Sequence, residues 1–218
     1  DAKLYIPAFG TAGVVVATRG TTDTTTIDLS ALDPDGQPDC ISAFAAGGSN
    51  YVACELLDEN FSARGPGQIA VIDPGTDTMI TTITMANANP FGVFEQLPDE
   101  LGGDLMIPTV QFGDFSAGCV ERIRTGATPG TNGCVVTNQE LGGYATRIDV
   151  QMLGDVPMVW MIVSNGEFGA GARQQLYGYD LAASLLWPDP ITPEEQLLVD
   201  ATVCPDGSIV VADQTLAA

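Results

Sequence analysis

Residues 67–109, GQIAVIDPGTDTMITTITMANANPFGVFEQLPDELGGDLMIPT, carry the pattern that decides the fold. Four consecutive strands are predicted in this stretch, at 68–73, 79–85, 91–97 and 105–109. Each is apolar or alternates apolar residues with threonine, and each is bounded by Pro, Gly, Asn or Asp. Strands joined in this way form a small antiparallel sheet. Because one such sheet buries too little apolar surface to be stable alone, we expect similar sheets to pack against it.

Similar turn clusters recur along the chain at intervals of about 50 residues, and an apolar strand follows each of them. The clusters lie at 47–50, 101–104, 153–155 and 205–207. A four-stranded unit repeated at this interval is typical of a β-propeller, in which four-stranded antiparallel sheets, the blades, pack around a common axis. The sequence therefore predicts an all-β protein. The one helical signal is TPEE at 192–195, where Thr192 can act as an N-cap.

The repeat also resembles the YVTN-type β-propeller repeat family, whose pattern contains V-x-V-I-D, P-x-G-V, P-D-G and L-Y-V-x-N. The matching segments are AVID at 70–73, PFGV at 90–93 and LYIP at 4–7, and in part YVAC at 51–54 and PDGSIVV at 205–211. The resemblance implies a surface or extracytoplasmic propeller. It specifies no ligand, because propellers serve in binding, scaffolding and catalysis alike.

We expect residues 1–218 to form a single β-propeller domain or a contiguous part of one. The predicted blades span approximately 1–30, 40–85, 90–141, 144–186 and 197–218, the last being incomplete. The first and last predicted strands occupy the same place in the blade, so about four blades are visible without closing a ring. The pattern therefore predicts a larger propeller of six to eight blades, with the missing blades on the same chain or on another.

The chain is strongly acidic, with 28 Asp and Glu against seven Lys and Arg and a formal net charge of −21. This charge repels nucleic-acid phosphates and anionic membrane surfaces, so we expect no nucleic-acid partner. No apolar run reaches the ~18–20 residues of a membrane-spanning segment. Histidine is absent, which removes the commonest general base near neutral pH and a common ligand of zinc and haem.

The five cysteines suggest two disulfides. Cys40 and Cys54 each lie seven residues from Gly47, the spacing of opposed residues in a hairpin. Cys119 and Cys134 flank the next predicted turn, at 125–133, in a similar way. Disulfides across loops of about 15 residues would each add roughly 3 kcal/mol of stability and would indicate an oxidising, extracytoplasmic compartment. The alternative is free thiols in a cytosolic protein. Cys204 has no predicted partner.

Three carboxylates in DPDGQPD form a candidate calcium loop, because aspartates that alternate around a glycine turn can direct several oxygens toward one ion. They are Asp33, Asp35 and Asp39. The segment lacks a downstream bidentate Glu, and an acidic turn without metal is the alternative. No other cofactor is expected.

The sequence offers no recognisable catalytic set. It has no histidine and no G-x-S-x-G, and no pair of carboxylates suited to glycoside hydrolysis stands out. Asp28, Asp73 and Asp180 end strands at equivalent places in the repeat and are expected to be turn residues. We therefore expect a non-catalytic binding or scaffold module of a cell-surface or extracellular assembly, with a protein or surface partner. The alternative is a hydrolase or lyase whose active site lies in the propeller channel, partly outside this segment.

Overall fold

The computed structural model describes residues 2–166, 173–192, 197–204 and 206–214. These ranges are all-β, and their strands form five antiparallel sheets that follow one another along the chain. Within every sheet the strands are hydrogen-bonded in their sequence order. The all-β class and the four-stranded antiparallel sheets predicted from the sequence are confirmed. The helix predicted at 192–195 and the glycine-rich segment at 167–172 fall wholly or largely outside the described residues.

The first two sheets occupy the N-terminal third of the chain. Sheet 1 consists of β1 (Lys3–Pro7), β2 (Gly13–Thr18) and β3 (Thr24–Asp28). Sheet 2 consists of β4 (Cys40–Ala46), β5 (Ser49–Cys54), β6 (Gln68–Asp73) and β7 (Thr78–Thr84). A short 3-10 helix, Ser30–Leu32, lies between the two sheets.

The remaining sheets repeat this meander. Sheet 3 consists of β8 (Glu95–Gln96), β9 (Leu105–Pro108), β10 (Cys119–Arg124) and β11 (Gly130–Thr137), with a 3-10 helix at Asp99–Leu101. Sheet 4 consists of β12 (Tyr144–Leu153), β13 (Val156–Ser164), β14 (Gln174–Asp180) and β15 (Leu185–Leu186). Sheet 5 consists of β16 (Leu198–Val203) and β17 (Ile209–Asp213).

The central strands of sheets 2, 3 and 4 bury both of their faces, each face against a different neighbouring sheet. In β6, Ile69 and Val71 belong to the hydrophobic cluster between sheets 2 and 3, whereas Ala70 and Ile72 belong to the cluster between sheets 1 and 2. This division follows from the period-two alternation of side chains along a strand. The outermost strand β7 has only Ile83 buried, which explains its run of threonines.

Four hydrophobic clusters hold the sheets together, and each joins two sheets that are consecutive in sequence. Between sheets 3 and 4 the cluster includes Met106, Val120 and Met161, and between sheets 4 and 5 it includes Trp160 and Leu198. Within the described ranges, no such cluster joins sheet 5 to sheet 1. The sheets therefore form a series in which every interior member depends on two neighbours.

The structure differs from the predicted elements mainly in sheet 3. The strand predicted at 91–97 is reduced to Glu95–Gln96, because Pro90 makes only an isolated bridge to Thr109 and the backbone bends at Gly92, whose φ is positive. The turn predicted at 125–133 is shorter, since β11 already begins at Gly130. A one-turn helix α1 (Asn138–Leu141) follows β11 and was not predicted. Its capping box, formed by Thr137 and Glu140, is readable in the sequence as T-N-Q-E.

Replacement of a side chain at a sheet–sheet interface should destabilise the protein far more than replacement on an outer strand. Ile69 is fully buried, whereas Ile80 of β7 is 59% exposed. We expect Ile69→Ala to lower the free energy of unfolding by about 2–5 kcal/mol, because it leaves a cavity between sheets 2 and 3. Ile80→Ala should change it by less than about 0.5 kcal/mol. Urea unfolding followed by circular dichroism measures both, and equal effects would contradict the interface described here.

Candidate functional site

The first strands of sheets 2, 4 and 5 converge with the segment before β8 on one open cavity of about 440 Å³. Its apolar lining comes from Ile41, Phe91, Val93, Leu198 and Val199. Its polar lining comes from Glu55, Thr146, Arg147 and Gln174, together with the backbone at Gly92. A cavity of this size, mostly apolar with a few polar groups, has the character of a small-molecule site. We refer to it as the cleft.

A β-bulge recurs at corresponding points of the three first strands that line the cleft. The strand pairing skips one residue near the start of each strand, namely Ile41 in β4, Thr146 in β12 and Val199 in β16. All three skipped residues line the cleft. A bulge leaves its extra residue out of the hydrogen-bonded ladder and redirects its side chain, and bulges are frequent beside functional sites. The β-bulge is thus repeated in three of the sheets, and the three bulged residues form part of the cleft lining.

Glu55 is the most unusual polar residue of the cleft. It follows β5 directly, and its backbone N–H donates a hydrogen bond to the carbonyl oxygen of Asp39 (3.2 Å). The residue is only 5% exposed. Burial raises the pKa of the Glu55 carboxyl to about 8, and the negative charge of Asp39 contributes in the same direction. Near neutral pH this carboxyl is therefore largely protonated.

A second, more polar cavity of about 390 Å³ adjoins the cleft and shares Val93 and Arg147 with it. Glu95 lies here, half-buried. Its pKa is raised to about 7 by burial and by the charges of Asp149 and Asp200, and the opposing effect of Arg147 is smaller. A carboxylate oxygen of Asp149 accepts a hydrogen bond from the backbone N–H of Val203 (3.0 Å), which ties β12 to β16.

The Cys40–Cys54 disulfide lies beside the cleft. It joins directly opposed residues of β4 and β5, and the cleft residues Ile41 and Glu55 are the next residues along the chain. The second disulfide joins Cys119 in β10 to Cys134 in β11. These are the two pairs that the hairpin spacing predicts, and they fit an oxidising environment.

Cys204 is a free cysteine in the structure. It lies at the turn between β16 and β17, where its backbone N–H bonds the carbonyl oxygen of Ser208 (2.7 Å). The sequence predicted no partner for this residue within the chain.

The three aspartates of the candidate calcium loop are used differently from one another. The guanidinium of Arg64 lies 2.8 Å from a carboxylate oxygen of Asp35 and 3.5 Å from one of Asp33. The Asp39 carboxylate instead accepts hydrogen bonds from the backbone N–H groups of Gly10 and Leu57 (3.2 Å each). Nowhere in the described part of the chain do three or more His, Cys, Asp or Glu side chains form a group that could hold a metal ion. Calcium binding stays a prediction.

The strand-ending aspartates bind the turns that follow them. A carboxylate oxygen of Asp28 accepts from the N–H of Ser30 (2.8 Å), and Asp73 accepts in the same way from Gly75 (2.7 Å). Asp180 accepts from Ala183 (2.8 Å). Aspartate commonly forms such local hydrogen bonds in turns.

The described residues contain no helix long and apolar enough to span a bilayer.

Sequence reasoning did not identify Glu55 or Glu95 as site residues. A signal for Glu55 was present, because a single acidic residue interrupts the otherwise apolar run YVACELL at 51–57. A charged residue in such a run is either turned outward or buried at a special site. Glu95 has no comparable signal, since most of its neighbours in the adjoining cavity come from strands 50 or more residues away in sequence.

No protein-family model matches the chain, and no curated protein matches it significantly.

The raised pKa of Glu55 predicts a specific dependence of stability on pH. The ordinary pKa of the glutamate carboxyl is 4.5 and the folded value is about 8, so the folded state binds more protons than the unfolded state between these values. Stability contributed by protonated Glu55 is therefore complete below pH 4.5 and is lost as the pH rises through about 8.

Glu55→Gln removes this titration. Relative to the variant, the wild-type chain should lose up to about 1.4 kcal/mol of unfolding free energy per pH unit between pH 4.5 and 8. Urea unfolding at several pH values measures the difference, and the other titrating groups cancel in the comparison. Glu59→Gln, at an exposed loop residue, serves as the control and should follow the wild type. Parallel curves for wild type and Glu55→Gln would refute the assignment.

Proposed function

We propose that this chain is an extracytoplasmic β-propeller module of the YVTN repeat type, in which sheets 1 to 5 are successive blades. Its role is to bind a protein or surface partner as part of a cell-surface or extracellular assembly, without catalysis. The observation that carries the proposal is the repeated bulge, which brings one residue from the first strand of sheets 2, 4 and 5 to a single cleft.

The packing of the sheets supports the blade interpretation. In a propeller each blade packs face to face against the next in sequence, and the first strands lie innermost around the axis. The hydrophobic clusters follow this serial order. The first strands of sheets 2, 4 and 5, together with the segment leading into sheet 3, meet at the cleft.

The extracytoplasmic location can be tested through the cysteines. In the chain isolated without reductant, alkylation and peptide mass mapping should find Cys40 linked to Cys54 and Cys119 linked to Cys134, with Cys204 alkylated. This pattern is expected because structural disulfides persist in oxidising compartments and are rare in the cytosol. Alkylation of all five cysteines under these conditions would overturn the location.

The binding role can be tested by site-specific photo-crosslinking. A photoreactive phenylalanine analogue at Val93, which is 41% exposed at the cleft, should give a discrete adduct in the native extracytoplasmic fraction. The same analogue at Ile80, on the outermost strand of sheet 2, is the control and should not give this adduct. Adducts that are identical at the two positions, or absent from both, would contradict a partner site at the cleft.

One observation favours the second candidate, a hydrolase or lyase. Glu55 and Glu95 have pKa values raised to about 8 and about 7, and carboxyl groups of this kind can act as general acids near neutral pH. Chemical conversion of a captured ligand by the wild type, abolished in Glu55→Gln, would favour this candidate over the binding module.

A further inference from the structure

The carboxyl group of Glu55 has no hydrogen-bond or ion-pair partner among the described residues, and it lines the cleft. Glu55 is only 5% exposed, and no described residue supplies its carboxyl with a hydrogen bond or an ion pair. A carboxyl group that packing largely surrounds and that no protein donor satisfies can gain a hydrogen bond only from water or from a ligand. Glu55 lines the cleft, and the cleft is open to solvent. A ligand that enters the cleft can therefore reach the group that the protein leaves unpaired.

The charges around the cleft determine which kind of ligand Glu55 would accept. Asp39, from the loop before β4, is the charged group that acts on Glu55. Arg147 of β12 also lines the cleft, but its electrostatic effect falls on Glu95, in the adjoining cavity with Asp149. Arg147 thus acts on Glu95, whereas the charged group that acts on Glu55 is another acid, Asp39.

The electrostatic potential of the whole chain is negative, as is the charge next to Glu55. A chain with a net charge of −21 attracts cations and repels anions, and a cleft focuses that field. Apolar side chains, including Ile41 and Leu198, form most of the remaining lining. The site therefore combines one unpaired acid with a largely apolar wall.

We propose that the cleft binds a small organic cation, an ammonium group attached to an apolar body, with the ammonium paired to Glu55. This inference rests on the proposed function in one respect, since it takes the cleft as a binding site, but it does not depend on the propeller architecture. The ammonium supplies the hydrogen-bond donors and the positive charge that Glu55 lacks. The apolar body contacts the wall formed by Ile41, Val93 and Leu198.

An aromatic wall adds to the preference for a cation. Phe91 lines the cleft and is held edge to face by Phe112 and Tyr144, with ring centroids 5.9 Å away in both cases. Tyr144 in turn stacks on Phe115 at 5.2 Å. A ring fixed in this way can present its negative face to an ammonium ion, an attraction that strengthens when water is excluded.

Binding of a cation at Glu55 must be coupled to proton release. With a folded pKa of about 8, the free Glu55 carboxyl is mostly protonated at pH 7. An ammonium group pairs with the carboxylate and not with the neutral acid, so its binding lowers this pKa and displaces up to about one proton. The affinity for the cation should therefore rise as the pH increases from 6 to about 8.

The test is titration calorimetry of the full chain with phenethylammonium chloride and with phenethyl alcohol, a neutral probe of nearly the same size. We expect the wild type to bind the ammonium probe at least about ten-fold more tightly than the alcohol at pH 8. At pH 7, heats measured in buffers of different ionisation enthalpy should reveal the released proton. Equal affinity for the two probes, or no binding of either, would overturn the inference without any variant being needed.

Two variants assign the effect to Glu55. Glu55→Gln should weaken the ammonium probe by at least about ten-fold and abolish proton release, and Glu59→Gln should behave as the wild type. Circular dichroism establishes that each variant is folded. Unchanged affinity in folded Glu55→Gln would overturn the inference. The partner adduct at Val93 is measured separately. If the wild type forms the adduct but does not bind the ammonium probe, the ligand class alone is refuted. If the wild type forms no adduct, the binding module is refuted.

Discussion

The constraint on which the structure depends is the burial of both faces of its central strands. Strand β13 of sheet 4 is an example. Its residues Met158, Trp160 and Ile162 face sheet 5, and the alternating residues Val159 and Met161 face sheet 3. The same division occurs in β5, β6 and β9. A strand with two apolar faces exposes one of them to water unless a sheet packs on each side of it. Serial stacking is therefore the condition under which any single sheet is stable.

Stacking of this kind also produces the cleft. When similar sheets pack in series, their corresponding strands lie close together. A β-bulge at the same place in several of these strands therefore brings the bulged residues to one region. The bulged residues Ile41, Thr146 and Val199 are an example, because each is left out of its ladder and all three line one cavity. A local departure from regular pairing thus becomes a shared surface feature through repetition.

Electrostatics then distinguish the cleft from the rest of an acidic surface. Several carboxylates of the described residues lie in turns and accept hydrogen bonds from nearby groups. In Asp28, hydrogen bonds from Ser30 lower the pKa of the carboxyl below its ordinary value. Glu55 and Glu95 differ because packing removes water from them and places other acids nearby. Burial and neighbouring acids therefore make these two carboxyl groups titrate closer to neutral pH than glutamate ordinarily does.

The sequence by itself determined the all-β class, the division into consecutive sheets and the cysteine pairs. These features depend on local signals, namely period-two alternation, turn residues and spacing within a hairpin, all of which act over a few residues. It missed the shortening of β8 and the helix α1, whose local signals are weak or brief. Only the tertiary structure decided the bulges, the cleft and the unpaired state of Glu55. These arise where strands distant in sequence come together. The run YVACELL at 51–57 marks Glu55 as unusual, but the local pattern cannot say which distant strands surround it.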